Sequence, residues 1–393
     1  MLVLVVNSGS SSLKYQVREL TLDGEDAESP VVTKGVVERI GVPGSDTPDH
    51  AAALAKVEAE ITQVIGDRRL AAAGHRVVHG GEFFKAPAFV TEKVIEEIDR
   101  LSPLAPLHNP AAVQGLRAVA ERWPELPQVV VFDTSFHQTM PREAWQYALP
   151  RELYKEHGIR RYGAHGTSHD LVAGMAAEHL EIPRDEFDGI ILHIGNGASA
   201  TAVKGGKSVD TSMGYTPLAG LVMGTRSGDV DPSVITQLAI TQGYTGEQLD
   251  TLLNKQSGLL GLTGHADMRE VEQAAENGDE DAQNALNIAA YRVAKYVGSY
   301  HVAVGGAKAI VFTAGIGENS PLFRSMVLDR IADALGVAYD PELNKIRSGE
   351  PRVISTPESK IPVLVAPTDE EMAIAHLTHH MVEEEGAWVK AEA

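Results

Sequence analysis

Cysteine is absent from the 393 residues. That excludes disulfides, thiolate metal sites and a thiol nucleophile, so any nucleophile here is oxygen or nitrogen. A basic excess is missing as well: 34 Lys and Arg face 54 Asp and Glu, for a formal charge of -20. With no cationic surplus to release counterions, general binding to nucleic acid or an anionic membrane is not expected, and an anionic substrate must meet locally placed cations. No apolar run is long enough to cross a bilayer. The opening LVLVV has neither the basic flank nor the cleavage pattern of a signal peptide, so the expected location is the cytoplasm. No linker composition marks a domain boundary, and low complexity is slight. The stretch Ala52 to Ala73 is Ala-rich but helical in pattern, and the acidic tail from Glu383 is expected to fray.

What is present reads as a globular α/β protein. The chain is 43% hydrophobic and 22% charged, and its length exceeds what one ordinary core supports, so two domains are expected. Apolar, β-rich runs at Val129 to Phe132, Gly189 to Ile194 and Ala309 to Thr313 alternate with helical segments. Asp281 to Tyr300 places Ala285, Ile288, Val293 and Val297 on one broad helical face. Ser320 and Pro321 read as the N-cap and first residue of a helix closed by Gly336.

The stretch VLVVNSGSSSLKYQV runs a buried-looking strand into Ser and Gly and out into a second strand with Lys14 near the turn. About half a chain later, Ile190 to Ile194 enters Gly195, Asn196 and Gly197 in the same manner. Two unrelated hairpins account for this pattern; so does a duplication in which two similar domains each present a backbone loop to one phosphate chain. Gly206-Lys207-Ser208 fails as a P-loop because Thr201 stands where the first Gly is required. Gly315-Ile316-Gly317-Glu318-Asn319 follows a strand and precedes the capped helix, a place where free N–H groups suit a nucleotide, although Ser320 replaces the third Gly of a dinucleotide fingerprint. His75 and His79 flank a strand-like Arg-Val-Val, which separates them by roughly 13 Å, so a shared zinc is not expected. His165 precedes a helix that Thr167 or Ser168 would cap, with His169 in its first turn. Arg76 and Arg226 lie in small-residue surroundings. Each is either a surface ion-pair partner or a bidentate holder of a carboxylate or phosphoryl group. Asp133 follows the strand VVVF, where it either caps a turn or reaches a metal or reacting centre.

The segments VVNSGSSSLKY, GHRVVHGG, LAPLHNP, VFDTSFH, RYGAHGTSH, LHIGNGAS, TPLAGLVMGTRSGDVDP, FTAGIGENS and PTDEEMAIA, in this order, resemble the acetate/propionate/butyrate kinase family from residue 2 to about residue 380. The resemblance implies two ribonuclease H-like domains of the actin-like ATPase superfold with an interdomain cleft. An N-terminal acyl kinase domain would span residues 1–134, with 370–393 returning to it, and a C-terminal nucleotide-binding domain residues 135–369. It implies reversible, direct in-line transfer of the ATP γ-phosphoryl to acetate, giving acetyl phosphate and ADP, with Mg²⁺, or Mn²⁺ as the alternative, and a homodimer.

By motif, the resemblance puts Asn7 and Glu370 on the metal and Ser10, Ser12 and Lys14 at the phosphate end. Arg76 would bind the substrate carboxylate, with Val78, Leu107 and Pro217 lining the acyl pocket. His165 and Arg226 would stabilise the transferring phosphoryl group, with His108 nearby. The nucleotide site would comprise His193, Ile194, Gly195, Asn196 and Gly197; Asp267, Met268 and Arg269; and Gly315, Ile316, Gly317, Glu318 and Asn319. Asp133 would be catalytic. Because a carboxylate substrate is already ionised near pH 7, orientation or a metal-bound water suits Asp133 better than proton transfer. The sequence departs from the family at Ala164, where Phe is usual, at Tyr215 and Ala219, where Phe and Glu are usual, and at Gly264-His265-Ala266 before Asp267. A phenyl ring missing beside the acyl pocket predicts tolerance of propionate. The rival readings are a propionate-preferring or pyrophosphate-linked acyl kinase and a non-catalytic actin-like nucleotide-binding module.

Overall fold

A computed structural model describes residues 1–20, 29–106 and 108–389. Two compact units are present, one of Met1–Phe136 with Asp369–Ala393 and one of His137–Thr368.

Among the described residues, the first unit contains a six-stranded sheet of β1 (Leu2–Ser8), β2 (Ser12–Glu19), β3 (Val31–Glu38), β4 (Ala72–Val77), β5 (Ala88–Phe89) and β6 (Gln128–Phe132), in the order β3-β2-β1-β4-β6-β5. β1, β2 and β3 form an antiparallel meander, β4 and β6 run parallel to β1, and β5 closes the edge antiparallel. Val3, Leu4, Val5 and Val6 are buried in succession, which only a strand covered on both faces requires. On one face Leu54 and Val57 of helix His50–Ile65 and Val119 of helix Asn109–Arg122 pack on Leu4 and Val6. On the other, Ile374 and Ala375 of helix Glu370–Val389 pack on Val3, Val5, Val129 and Val131. Gly74 permits that last approach: a Cβ there would lie 2.7 Å from Ile374 Cγ2 and closer still to Thr378 Oγ1.

The second unit repeats the pattern with β7 (Gly189–Ile194), β8 (Ala198–Lys204), β9 (Lys207–Thr211), β10 (Ala309–Thr313), β11 (Arg352–Val353) and β12 (Val363–Val365). Its order is β11-β12-β10-β7-β8-β9; β7, β8 and β9 are the meander, β10 and β12 the parallel strands, and β11 the antiparallel edge. Both Asn-bearing turns therefore join the first two strands of equivalent sheets, as duplication requires and two unrelated hairpins do not.

The helix expected at 281–300 runs from Glu280 to Val304 and buries Ala282, Ala285, Ala289, Val293 and Val297, leaving Ile288 at the margin of the face. Ser320 Oγ accepts from the Phe323 amide, Pro321 opens the helix, and Gly336 closes it in the left-handed conformation. Three expectations change. Helix His50–Ile65 stops at Gly66, and Ala72 and Ala73 belong to β4 because their side chains are needed in the core. The segment 315–319 is no open loop: Ala314, at φ 66, turns the chain out of β10 into a short helix, Ala314–Asn319. The final helix continues past Glu383 to Val389.

Candidate active site

In the first unit, the carboxyl ends of the parallel strands gather side chains of opposite charge, where α/β sheets offer a crevice. Arg76 leaves β4 and meets Asp133, the residue after β6. Its Nε donates to Oδ1 at 3.0 Å and its Nη2 to Oδ2 at 2.7 Å, a bidentate pair. Asp133 is held on both sides, because its amide donates to the Val77 carbonyl at 3.0 Å and its side chain is 2% exposed. Glu370, in the first turn of the last helix, places Oε2 at 3.5 Å from Arg76 Nε. One guanidinium therefore faces two carboxylates. Burial opposes the charge on Arg76, but Asp133, Glu370 and Glu371 overcome it and hold its pKa above the ordinary arginine value. Burial pushes the Glu370 carboxyl above its ordinary range; Arg76 opposes this, Asp133 and Glu371 add to it, and Lys14 opposes it. Asp133 takes the bidentate edge, so Glu370 is the surplus carboxylate.

Asn7 sits at the end of β1, paired across the ladder with Lys14 on β2. Between them the Gly9 amide donates to the Ser12 carbonyl at 2.7 Å, leaving Ser10 exposed at the tip and Ser12 half-buried. Val78 follows β4 half-buried, and His108 is exposed ahead of helix Asn109–Arg122. The two segments are tied together by Asn109, whose Oδ1 accepts from the His79 amide at 3.2 Å and whose Nδ2 donates to the His79 carbonyl at 3.0 Å. Leu107 lies outside the described residues.

In the second unit, the turn after β7 is the centre. A Cβ on Gly197 would stand 2.5 Å from Arg226 Nη2 and 3.6 Å from both Nε2 and Cε1 of His165, so the cation and the imidazole meet over a glycine whose replacement would displace the guanidinium. Arg226 is anchored through Nη1 to the Pro217 carbonyl at 2.5 Å, and burial lowers its pKa. His165 itself caps helix Gly166–His179 in a left-handed conformation, φ 58, in place of the expected Thr167 or Ser168; such strain in a non-glycine residue marks a constrained side chain. Its ring stacks on His193 with centroids 4.2 Å apart, and His193 Nδ1 is 2.8 Å from Ser168 Oγ.

Parts of the other nucleotide candidate segments approach the same turn. The Gly224 amide donates to the Asn196 carbonyl at 2.9 Å, and a Cβ on Gly224 would strike the Asn196 side chain and come within 2.8 Å of the Ala266 carbonyl, just before Asp267. Gly195 approaches Ala314, and Gly317 approaches Leu192 and Ile194. Glu318 is turned inward, its Oε1 accepting from the Thr368 amide at 3.0 Å. Asp267 and Arg269 face solvent and bind each other, through Arg269 Nε to Asp267 Oδ1 at 3.0 Å, while Met268 is buried. Gly315 and Asn319 lie on the outer side of the short helix, whereas Ile316 is half-buried and packs against the core of this unit.

Residues that motif reading passed over complete the picture. Asn109 was visible only as part of LHNP, and Gly224 only as one glycine among several. Ser199, fully buried on β8, lies 2.9 Å from His165 Nδ1 and 2.7 Å from His169 Nε2. The spacing of His165 and His169, four residues apart on a helix, was the available signal.

The Acetokinase family model matches residues 2–376. The chain belongs to the acetokinase family. It is 70% identical to an acetate kinase of Micrococcus luteus over 383 residues, covering 96% of this chain and 98% of that one. To an acetate kinase of an Arthrobacter species it is 59% identical, with 97% and 99% covered. Among solved structures, it superposes on Porphyromonas gingivalis acetate kinase with a TM-score of 0.91 at 42% identity, covering 97% and 99%. A propionate kinase of Francisella tularensis gives 0.89 at 39%, covering 96% and 99%. Among the described residues, no group of three or more His, Cys, Asp or Glu is arranged to hold a metal ion, and no helix is long and apolar enough to cross a membrane.

Proposed function

We infer that the chain is an acetate kinase, a phosphotransferase that moves the γ-phosphoryl of ATP onto the carboxylate of acetate and runs the reaction in reverse. The observation that carries the reading is the meeting of the Arg226 guanidinium and the His165 imidazole over Gly197. Transfer through a loose transition state asks mainly for alignment and for donors to the equatorial oxygens, and these two side chains supply them. The second unit is the nucleotide-binding domain, with Asn196, Gly197, Asp267 to Arg269 and the 315–319 segment holding ADP. The first unit is the acyl domain, where Arg76 presents the guanidinium edge not taken by Asp133 to the substrate carboxylate. Val78, half-buried just after β4, is the residue of this unit proposed to meet the methyl group. No covalent enzyme intermediate is required.

Mg²⁺ suits the first unit. The Asn7 amide oxygen and the under-neutralised Glu370 carboxylate are hard oxygen donors, and an ion that keeps several waters needs few of them. The chemistry a bound Mg²⁺ supplies is charge neutralisation on the triphosphate. Asp133 orients Arg76 and does not transfer a proton. We further propose a cytoplasmic homodimer. Propionate is a second substrate of the same site: the residue before His165 is the small Ala164, and the likeness to a propionate kinase supports it.

Hydroxylamine trapping of acyl phosphate tests the reading directly. With ATP, Mg²⁺ and acetate the purified chain should form hydroxamate, and with propionate the kcat/KM should fall by no more than about tenfold, the low end of what one methylene is worth. Silence with every short carboxylate, or turnover with pyrophosphate in place of ATP, would overturn it.

A further inference from the structure

Ser199 and His169 are not accounted for by the phosphoryl-transfer roles, yet they sit directly behind His165. The Ser199 hydroxyl has one proton and touches two imidazole nitrogens, His165 Nδ1 at 2.9 Å and His169 Nε2 at 2.7 Å. Each contact needs a hydrogen, so the three groups share a limited set of proton arrangements. The other nitrogen of His169, Nδ1, is buried with no hydrogen-bond partner among the described residues. A buried N–H with no acceptor leaves a donor desolvated and unpaired, whereas a proton on Nε2 is bonded to Ser199. His169 is fully buried, and burial, then the neighbouring His137 and His193, hold its pKa well below the ordinary value, so it carries a single proton. That proton belongs on Nε2. Ser199 then accepts from His169 and is free to donate its own hydrogen to His165 Nδ1.

We propose that Ser199 and His169 are positioning residues that fix neutral His165 as the tautomer protonated on Nε2, the nitrogen facing Gly197 and Arg226. This rests on the acetate kinase reading only for its consequence: an N–H aimed at the corner where the phosphoryl oxygens are taken to lie. With the other tautomer, a lone pair would face those oxygens beside Arg226 and repel them. The stacked His193 keeps the ring plane, and the left-handed backbone of His165 sets its direction, but neither selects which nitrogen is protonated. The Ser199 contact does, because it is made to Nδ1 itself.

The test is ¹⁵N NMR of the ¹⁵N-histidine-labelled wild-type protein at about pH 8.5, above the ordinary histidine pKa. His165→Gln and His169→Gln spectra supply the assignments. Both rings should show a pyrrole-type Nε2 and a pyridine-type Nδ1; a pyrrole-type Nδ1 on either ring overturns the proposal. Ser199→Ala should bring the second His165 tautomer into the spectrum and lower kcat about tenfold, less than the roughly hundredfold or more that losing a positioned proton-transfer group costs, because the His165 ring itself remains, with both KM values within about twofold. Ser199→Thr, which keeps the hydroxyl, should restore the wild-type tautomer and most of kcat. Unchanged His165 shifts in Ser199→Ala would sink the idea. Should Ser199→Ala fail to fold, the wild-type spectrum decides alone. Hydroxamate formation by the wild type separates the two readings: an active enzyme with the opposite tautomer refutes this inference and leaves the function standing, and an inactive one with the expected tautomer does the reverse.

Discussion

Asp133 and Gly197 act on the two arginines in opposite ways, one by gripping and one by giving room. The carboxylate of Asp133 fixes the plane of Arg76 through two hydrogen bonds. Asp133→Asn keeps the shape but offers one acceptor oxygen and no charge, so Arg76 should swing toward Glu370. We expect kcat for acetate to fall by about a hundredfold or more, the scale of losing an oriented electrostatic group; hydroxamate formation by a variant with wild-type circular dichroism measures this, and a near-normal rate would remove Asp133 from the mechanism. Gly197→Ala adds a carbon 2.5 Å from Arg226 Nη2. The guanidinium must retreat by a fraction of an ångström to about 1 Å, a displacement that costs about a hundredfold in rate at a reacting centre. Its melting temperature should hardly change, because the turn lies at the rim of the core; full activity would mean that Arg226 does not work from this corner. At this scale sequence reading reached residues whose chemistry shows in their type, such as Arg76, Asp133, His165 and Arg226. It did not reach Asn109, Ser199 or Gly224, because a hydrogen bond or a close approach between segments tens of residues apart has no local pattern.

The element that organises the first unit is β4, and its burial has a titratable consequence. Burial pushes His75 down to about 4, only partly countered by Gln128, and pushes His79 just beyond the strand down to about 4 as well. In the unfolded chain both titrate near 6.5. As pH falls through that value the unfolded state binds protons that the folded state refuses. The stability contributed by the neutral rings is therefore complete above about pH 6.5 and is lost toward pH 4, at about 1.4 kcal/mol per pH unit per ring. His75→Gln should flatten this acid slope by one proton; urea midpoints at about pH 7, 5.5 and 4.5 for both proteins check it. Identical slopes would show that His75 is hydrated in the native state. Strands such as β6, β7 and β10 were legible because continuous apolar runs are what two covered faces require. The edge strands β5 and β11 were not, since two residues carry no period. The short helix Ala314–Asn319 was hidden because glycines announce a turn, and only Ala314 in the left-handed region converts that turn into a helix start.

At the scale of the whole molecule, the order of the motifs identified the family, and the repeated sheet order in the two units accounts for the paired Asn-bearing turns. Association left no such trace in the sequence, because an apolar residue on a helix reads the same whether its own chain or a second copy covers it. An exposed apolar helix in the second unit motivates a test. Helix Pro232–Gln242 buries no residue, although it carries Val234, Ile235, Leu238 and Ile240, and Ile240 is 80% exposed. An amphipathic helix normally turns its apolar side to a core. Ile235 and Leu238 are half-buried, while Val234 and Ile240 are left to solvent, and a second copy of the chain is the partner that the proposed homodimer would place over them. Light scattering should therefore give a mass about twice 42.1 kDa at micromolar concentration. Ile240→Asp would place a charge in that contact, where its desolvation is uncompensated, and should shift the protein to monomer while leaving the far-ultraviolet circular dichroism of the folded chain intact. A wild-type monomer at that concentration, or an Ile240→Asp dimer as tight as the parent, would show that this helix faces water in the functioning protein and that its apolar residues need another explanation.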